Sequence, residues 1–401
     1  AIESGKMPFL QELKDSGKYV LHEYDCGVPS QTSSCQAGIM YGSNENICAF
    51  RWYDKAQKKV ISSSSFGNAE MIEAHIRKKN SKGLLKNGLS ISNIISGSAK
   101  TSLFTVSSFF SKSVAEQRKR NINLYLFSLH PYVLTKSLIF TVFDISSENF
   151  EYLVTKITNK KPRLDRFHGF YPVIRGFTNV FLRDISTKLI VDEIYRGGPA
   201  VYTTFMGHDE IAHHSGPDSF EARQALSGID RAIRKIYSAA EKSTARDYRV
   251  VILSDHGQSF GATFKQRYGK TLRTVIQEIA NKTDLSQQNT QVVGIENTAD
   301  NNANLRAALA ELHQSGKENS LTNGAYNLLT NAVDKNESTE KIKKLESQKS
   351  DILVLASGNL SNVYFSFTNH RTSYDEIDTI YPGLILKLSE HPGVGLIIVL
   401  Q

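Results

Sequence analysis

Two apolar runs, each ending in a crowd of acidic and imidazole side chains, constrain this chain most. Ala200-Val201-Tyr202-Thr203-Thr204-Phe205 leads into Met206-Gly207-His208-Asp209-Glu210-Ile211-Ala212-His213-His214-Ser215-Gly216-Pro217. Tyr248-Arg249-Val250-Val251-Ile252-Leu253 leads into Ser254-Asp255-His256-Gly257. Short apolar runs that end in turn residues read as buried strands, and the acidic and imidazole side chains crowd the loop just past each. In open α/β sheets, ligands bind outside the carboxyl ends of strands. Asp and His are donors that zinc, manganese and iron accept. An isolated Asp-His-Gly is common and mostly structural. Joined to Asp-x-x-x-His after a second apolar run, it points to a two-metal site.

A third stretch bears on the same chemistry. Val28-Pro29-Ser30-Gln31-Thr32-Ser33-Ser34-Cys35-Gln36-Ala37-Gly38-Ile39-Met40-Tyr41-Gly42 places the Thr32 hydroxyl before small residues that open a helix. A helix N-terminus offers N–H groups and the positive end of a dipole, which suits a phosphate. A hydroxyl there, beside a metal, can be deprotonated and attack. On its own the stretch reads as an ordinary Ser/Thr N-cap.

Together the three stretches resemble the alkaline phosphatase superfamily, in particular its type I phosphodiesterase and nucleotide pyrophosphatase branch. That branch carries its threonine nucleophile in Pro-x-x-Thr, matched at Pro29 and Thr32. Its Asp-x-x-x-His-x-x-Gly-Pro is matched at Asp209, His213, Gly216 and Pro217, and its Asp-His-Gly at Asp255, His256 and Gly257. The chain is also similar to uncharacterised bacterial alkaline phosphatase family proteins through Pro29-Ser30-Gln31-Thr32, Phe50-Arg51-Trp52-Tyr53 and Ser254-Asp255-His256-Gly257-Gln258.

The resemblance implies an α/β fold: an alkaline phosphatase-like sandwich of a mostly parallel central sheet flanked by helices, with a helical insertion. It implies a metal-dependent phosphoric ester hydrolase acting on phosphodiesters or pyrophosphates. One divalent ion would be held by Asp255, His256 and the Thr32 oxygen. The second would be held by Asp209 and His213. Zinc is the first expectation for both and manganese the second. His208 and His214 adjoin these ligands and read as supporting side chains. The branch also places an Asn three residues after the nucleophile, where this chain has Cys35. Gln36 or a backbone N–H is left as the donor to a phosphate oxygen. A phosphomonoesterase or lipid-headgroup phosphotransferase is the near alternative. A non-catalytic, membrane-associated binding protein of the same fold is the distant one. The Cys/Ser-x-Pro-x-Arg motif of sulfatases is absent around Thr32.

Length and charge divide the chain further. Its 401 residues permit several domains. A nucleophile-bearing core segment is expected over 1–110, a basic helical insertion over 111–195, and a metal-binding core over 196–280. A polar insertion over 281–350 and a C-terminal core part over 351–401 would follow. Of the net charge of +8, residues 111–200 supply +6, from 14 Lys/Arg against 8 Asp/Glu. A solvated face explains this first, an anionic membrane surface second and nucleic acid third. No nucleic-acid-binding motif accompanies it. Cys26, Cys35 and Cys48 are too few for a disulfide scaffold. No clean apolar run of about 20 residues is present. The chain starts Ala1-Ile2-Glu3 and ends in the strand-like run Gly395 to Gln401. It is expected to be a fragment, with one more metal-binding Asp before Ala1, one more His after Gln401 and a membrane anchor outside both. Such a fragment would bind metal weakly and be inactive.

Overall fold

The computed structural model describes residues 2, 5–79, 82–110, 135–137, 139–146, 157, 171–258, 263–283, 290–295, 303–315, 342, 345 and 350–399. The chain forms two compact units. The first comprises Ala1–Ile47, Ser63–Phe260 and Asn301–Lys335, the second Cys48–Ser62, Gly261–Asp300 and Asn336–Gln401.

Helices α1 (Pro8–Asp15) and α2 (Thr32–Tyr41) come first, then the hairpin β1 (Arg51–Asp54) and β2 (Lys59–Ser62). Next are α3 (Phe66–Lys79), β3 (Leu89–Ile91) and β4 (Thr101–Leu103). A continuous helical run follows: α4 (Tyr171–Gly176), a π-helical turn (Phe177–Leu182) and α5 (Arg183–Tyr195). Then come β5 (Val201–Thr203), α6 (Gly207–Ser215), α7 (Phe220–Lys242), α8 (Phe264–Tyr268) and α9 (Leu272–Thr283). The chain closes with β6 (Val292–Ile295), α10 (Ala303–Ser315), β7 (Ile352–Ser357), β8 (Leu360–Phe365), α11 (Tyr374–Ile380) and α12 (Leu384–Ser389).

In the first unit, β3 is the central strand of a parallel sheet of order β4-β3-β5. All three residues of β3 are buried. A strand covered on both faces reads as a continuous small or apolar run, as Leu89-Ser90-Ile91 does. One cover is α5, whose Ile185, Leu189, Ile190 and Ile194 pack with Leu89, Ile91, Leu103 and Phe104. Helix α7 brings Ala239 and Ala240 to the same cluster. Its N-cap, Ser219, accepts a bond from the Ala222 N–H, and its apolar side holds Ala225, Ala232 and Ile233.

Helix α1 has no side-chain cap of its own. Asp230 of α7, only 2% exposed, supplies one: its two carboxylate oxygens each accept at 3.0 Å, from the N–H groups of Phe9 and Leu10. Phe9 and Leu13 then bury against Ile233, and the Arg234 guanidinium sits 4.8 Å over the Phe9 ring.

The second unit holds a three-stranded sheet of order β6-β7-β8, β6 parallel and β8 antiparallel to β7. Ile276 and Ala280 of α9, Ile377 of α11 and Leu384 of α12 pack on Ile352, Val354 and Phe365. Lys55, in the β1–β2 turn, donates to the carbonyls of Phe365, Thr368 and His370 at 2.6–3.1 Å, pinning the loop after β8. Trp52 lies half-buried on β1.

Two expected strands are not found. Residues 248–253 and 394–399 form neither helix nor strand and carry no ladder partner among the described residues. Val251 is 72% exposed and Leu396 79%. An apolar run becomes a strand only where a neighbour satisfies its N–H and C=O groups. Much of the expected helical insertion (111–134, 147–156, 158–170) and of the polar insertion lies outside the described residues.

Replacing Asp230 by Ala leaves the first-turn N–H groups of α1 uncapped in a buried setting. Urea unfolding should show a loss of about 2 kcal/mol, and a loss below about 0.5 kcal/mol would contradict the capping role.

Candidate active site

Thr32 is the first residue of α2, after Gln31, whose side chain makes no capping bond. The helix ends at Gly42 in the left-handed conformation, φ 72°, where a side chain would be strained. Thr32 Oγ1 lies 2.9 Å from His256 Nε2, across 224 positions of sequence. The other ring nitrogen, Nδ1, is 2.9 Å from the Gly257 carbonyl oxygen. A carbonyl can only accept, so that contact assigns the proton to Nδ1 and the lone pair to Nε2. Thr32 then donates its hydroxyl proton toward that lone pair.

Asp255 adjoins the same imidazole, with Oδ2 3.9 Å from His256 Nε2. This oxygen is buried and, among the described residues, has no hydrogen-bond partner. Burial raises the Asp255 carboxyl above its usual range, and the Asp209 carboxylate adds to the rise. An orphaned, buried carboxylate oxygen beside an imidazole lone pair and a hydroxyl is what a cation satisfies.

Asp209 and His213 lie on α6 rather than in the loop the sequence suggested. Their i, i+4 spacing puts them on one helix face, with Nε2 3.3 Å from Oδ1. Burial pushes the Asp209 carboxyl up, but the His213 hydrogen bond and the charges of His213 and His256 outweigh it and hold it low. For His213, burial pulls down and Asp209 pulls up, with a net rise. Burial lowers His208. The His214 side chain lies outside the described residues. Asp209 thus interacts electrostatically with both His256 and Asp255, so the two motifs share one region with Thr32. Among the described residues, no three or more His, Cys, Asp or Glu side chains surround a common point as metal ligands.

Gln36 is not placed to hold a phosphate oxygen. It is fully buried, its Oε1 accepts from the N–H groups of Ile94 and Ile95 at 2.8 and 3.3 Å, and its Nε2 donates to Thr204 Oγ1 at 3.1 Å. Thr204 in turn donates to Asn93 Oδ1 at 2.8 Å, and Asn93 Nδ2 reaches the Tyr202 carbonyl at 3.1 Å. This amide locks α2, and with it Thr32, to the carboxyl ends of β3 and β5. Cys35 is buried, and burial with the neighbouring Cys26 and Asp255 pushes its thiol up to about 12, so it stays a neutral thiol.

Two residues near the site gave little sequence signal. Tyr202, on β5, has its phenol pushed up by burial and by Asp255. Asn179, on the π-helical turn, packs against Gly207 at the start of α6. A Cβ at Gly207 would fall 2.6 Å from the Asn179 Cα, a backbone atom that cannot yield.

Gln36→Ala should orphan two buried N–H groups and cost about 2–4 kcal/mol in urea unfolding. An unchanged midpoint with reduced substrate affinity would instead return Gln36 to the phosphate.

No curated protein and no solved structure matches the chain. The family model described as type I phosphodiesterase / nucleotide pyrophosphatase matches residues 1–369. Its mixed α/β fold with parallel strands agrees with that match. The chain therefore belongs to the type I phosphodiesterase/nucleotide pyrophosphatase family, phosphoric ester hydrolases of the alkaline phosphatase superfamily.

Proposed function

We propose that this chain cleaves phosphodiesters or pyrophosphates with Thr32 as the nucleophile. One observation carries the reading: the Thr32 hydroxyl, at the N-terminus of α2, is hydrogen-bonded to His256 Nε2 beside the unpartnered Asp255 oxygen.

The donor set fits divalent ions, zinc first and manganese second. Asp255, His256 and Thr32 Oγ1 would hold one, and Asp209 and His213 the other. Bound there, such ions supply Lewis acidity to the phosphoryl oxygens and lower the pKa of oxygen ligands. The chain's own groups do the rest. The His256 Nε2 lone pair accepts from the Thr32 hydroxyl and so positions it. Where that lone pair holds an ion, it is not free to take the proton, which passes to water. The Thr32 oxygen then attacks phosphorus, the bond to the leaving oxygen breaks, and water later cleaves the phosphoryl–Thr32 ester. The His256 ring is held in place by its Nδ1–H bond to the Gly257 carbonyl. The first-turn N–H groups of α2 face the negative charge of the substrate, with the helix dipole adding to their pull.

In the metal-loaded protein, Thr32→Ala should lower turnover of bis(p-nitrophenyl) phosphate by about 10³-fold or more. Its far-UV spectrum should be unchanged and its stability within about 1 kcal/mol, since Thr32 is not the N-cap. Wild-type turnover in the variant would reject Thr32. EDTA treatment should abolish activity, and zinc or manganese should restore it. Activity that survives exhaustive chelation would reject the metal assignment.

A further inference from the structure

Two of the three cysteines meet beside Thr32, and the function proposed above uses neither. Cys26 is half-buried, Cys35 is 1% exposed, and both are free thiols. Their side chains are in hydrogen-bond contact with each other. The third, Cys48, is exposed and belongs to the second unit.

Local structure brings the pair together. Cys35 follows Thr32 by one turn of α2, and its N–H donates to the Gln31 carbonyl at 2.9 Å. Ahead of the helix the chain turns at Gly27, which is left-handed at φ 72° and donates its N–H to Asp25 Oδ1 at 2.8 Å. Cys26 Sγ lies 3.8 Å from the Gly27 carbonyl oxygen. Ser34 Oγ donates to the Pro29 carbonyl, with the Gln31 carbonyl also in reach at 3.3 Å, which folds the loop back on the first turn of α2. Tyr24, two residues before Cys26, interacts electrostatically with Cys35, Cys26 and Asp255, so this segment lies beside the start of α2 and the site.

We propose that Cys26 and Cys35 are a reversible disulfide site, formed by a hydroperoxide, that closes a ring of chain around Thr32. The half-buried Cys26 sulfur attacks the peroxide oxygen. The O–O bond breaks, Cys26 becomes a sulfenic acid, and its proton leaves with the departing oxygen. Cys35 then attacks the Cys26 sulfur. The S–S bond forms, the S–O bond breaks, and the Cys35 proton leaves with the hydroxyl as water. The two thiols lose two electrons in all, and hydrogen peroxide takes them up as two waters. The oxidant has to reach only Cys26, which suits a pair with one enclosed sulfur.

The bond would act on the nucleophile. A disulfide holds its sulfurs about 2.05 Å apart, closer than two thiols in contact. Closing that gap draws residues 26–31 and the first turn of α2 together, with Thr32 between them. The Thr32 hydroxyl then leaves its position 2.9 Å from His256 Nε2. A misplacement of about 1 Å costs a reacting group about 10²-fold. Oxidation therefore lowers turnover, and a reductant restores it. This consequence rests on Thr32 as the nucleophile; the disulfide itself does not.

The test treats the metal-loaded protein with hydrogen peroxide, removes the peroxide with catalase, and unfolds the chain in N-ethylmaleimide. Reduced protein should be labelled at Cys26, Cys35 and Cys48. Oxidised protein should be labelled at Cys48 alone, and its peptide holding Cys26 and Cys35 should be lighter by two hydrogens. In Cys26→Ser, Cys35 should stay labelled after the same treatment. Turnover of bis(p-nitrophenyl) phosphate should fall at least about tenfold on oxidation and return with a phosphine reductant, while Cys26→Ser keeps its turnover throughout. Labelling of both Cys26 and Cys35 after peroxide, a sulfinic acid on Cys26 beside a labelled Cys35, or a link to Cys48 would overturn the disulfide. Unchanged turnover in fully linked protein would overturn its effect on Thr32. A linked protein that turns over no phosphodiester in either state would reject the nucleophile and leave the disulfide standing.

Discussion

The arrangement turns on one hydrogen bond, Thr32 Oγ1 to His256 Nε2 at 2.9 Å. It joins the first turn of a helix to a loop 224 positions away. Neither group could hold that geometry alone. Thr32 is fixed because α2 is bolted to the sheet by the buried Gln36 amide. His256 is fixed because its Nδ1 meets the neighbouring Gly257 carbonyl oxygen. The pair is therefore preorganised, and a reacting group that is already aligned contributes more to rate than one that must be ordered during the reaction.

Electrostatics separates the two carboxylates that serve this pair. Asp209 has a protonatable imidazole in contact and is held low; Asp255 has burial and a like charge and is held high. A raised, unpartnered carboxyl is costly in a folded protein and concentrates at functional sites. A cation would stabilise the ionised form of Asp255 and remove the mismatch. That is why the metal reading rests on Asp255 more than on Asp209, whose charge is already balanced by His213.

Local chemistry made part of this legible in the sequence. Small residues after Thr32 marked the start of α2. The three motif stretches marked which residues to watch. What stayed hidden depends on distant partners. Gln36 looked free to serve a ligand, because nothing in its neighbours reveals Thr204, 168 positions on. Residues 248–253 have strand composition, yet strand formation depends on a neighbour that composition does not encode. The stretch after β5 read as a loop, while Asp209 and His213 sit one helical turn apart on α6. The π-helical turn that brings Asn179 against Gly207 has no sequence pattern of its own.

The central claim is that Thr32 forms the bond to phosphorus. The most direct measurement is acid quench of the metal-loaded protein during turnover of a phosphodiester, followed by peptide mass spectrometry. The account predicts a phosphoryl adduct on the peptide that contains Thr32, and loss of that adduct in Thr32→Ala. An adduct on another residue, or turnover with no adduct at any quench time and full activity in Thr32→Ala, would contradict it.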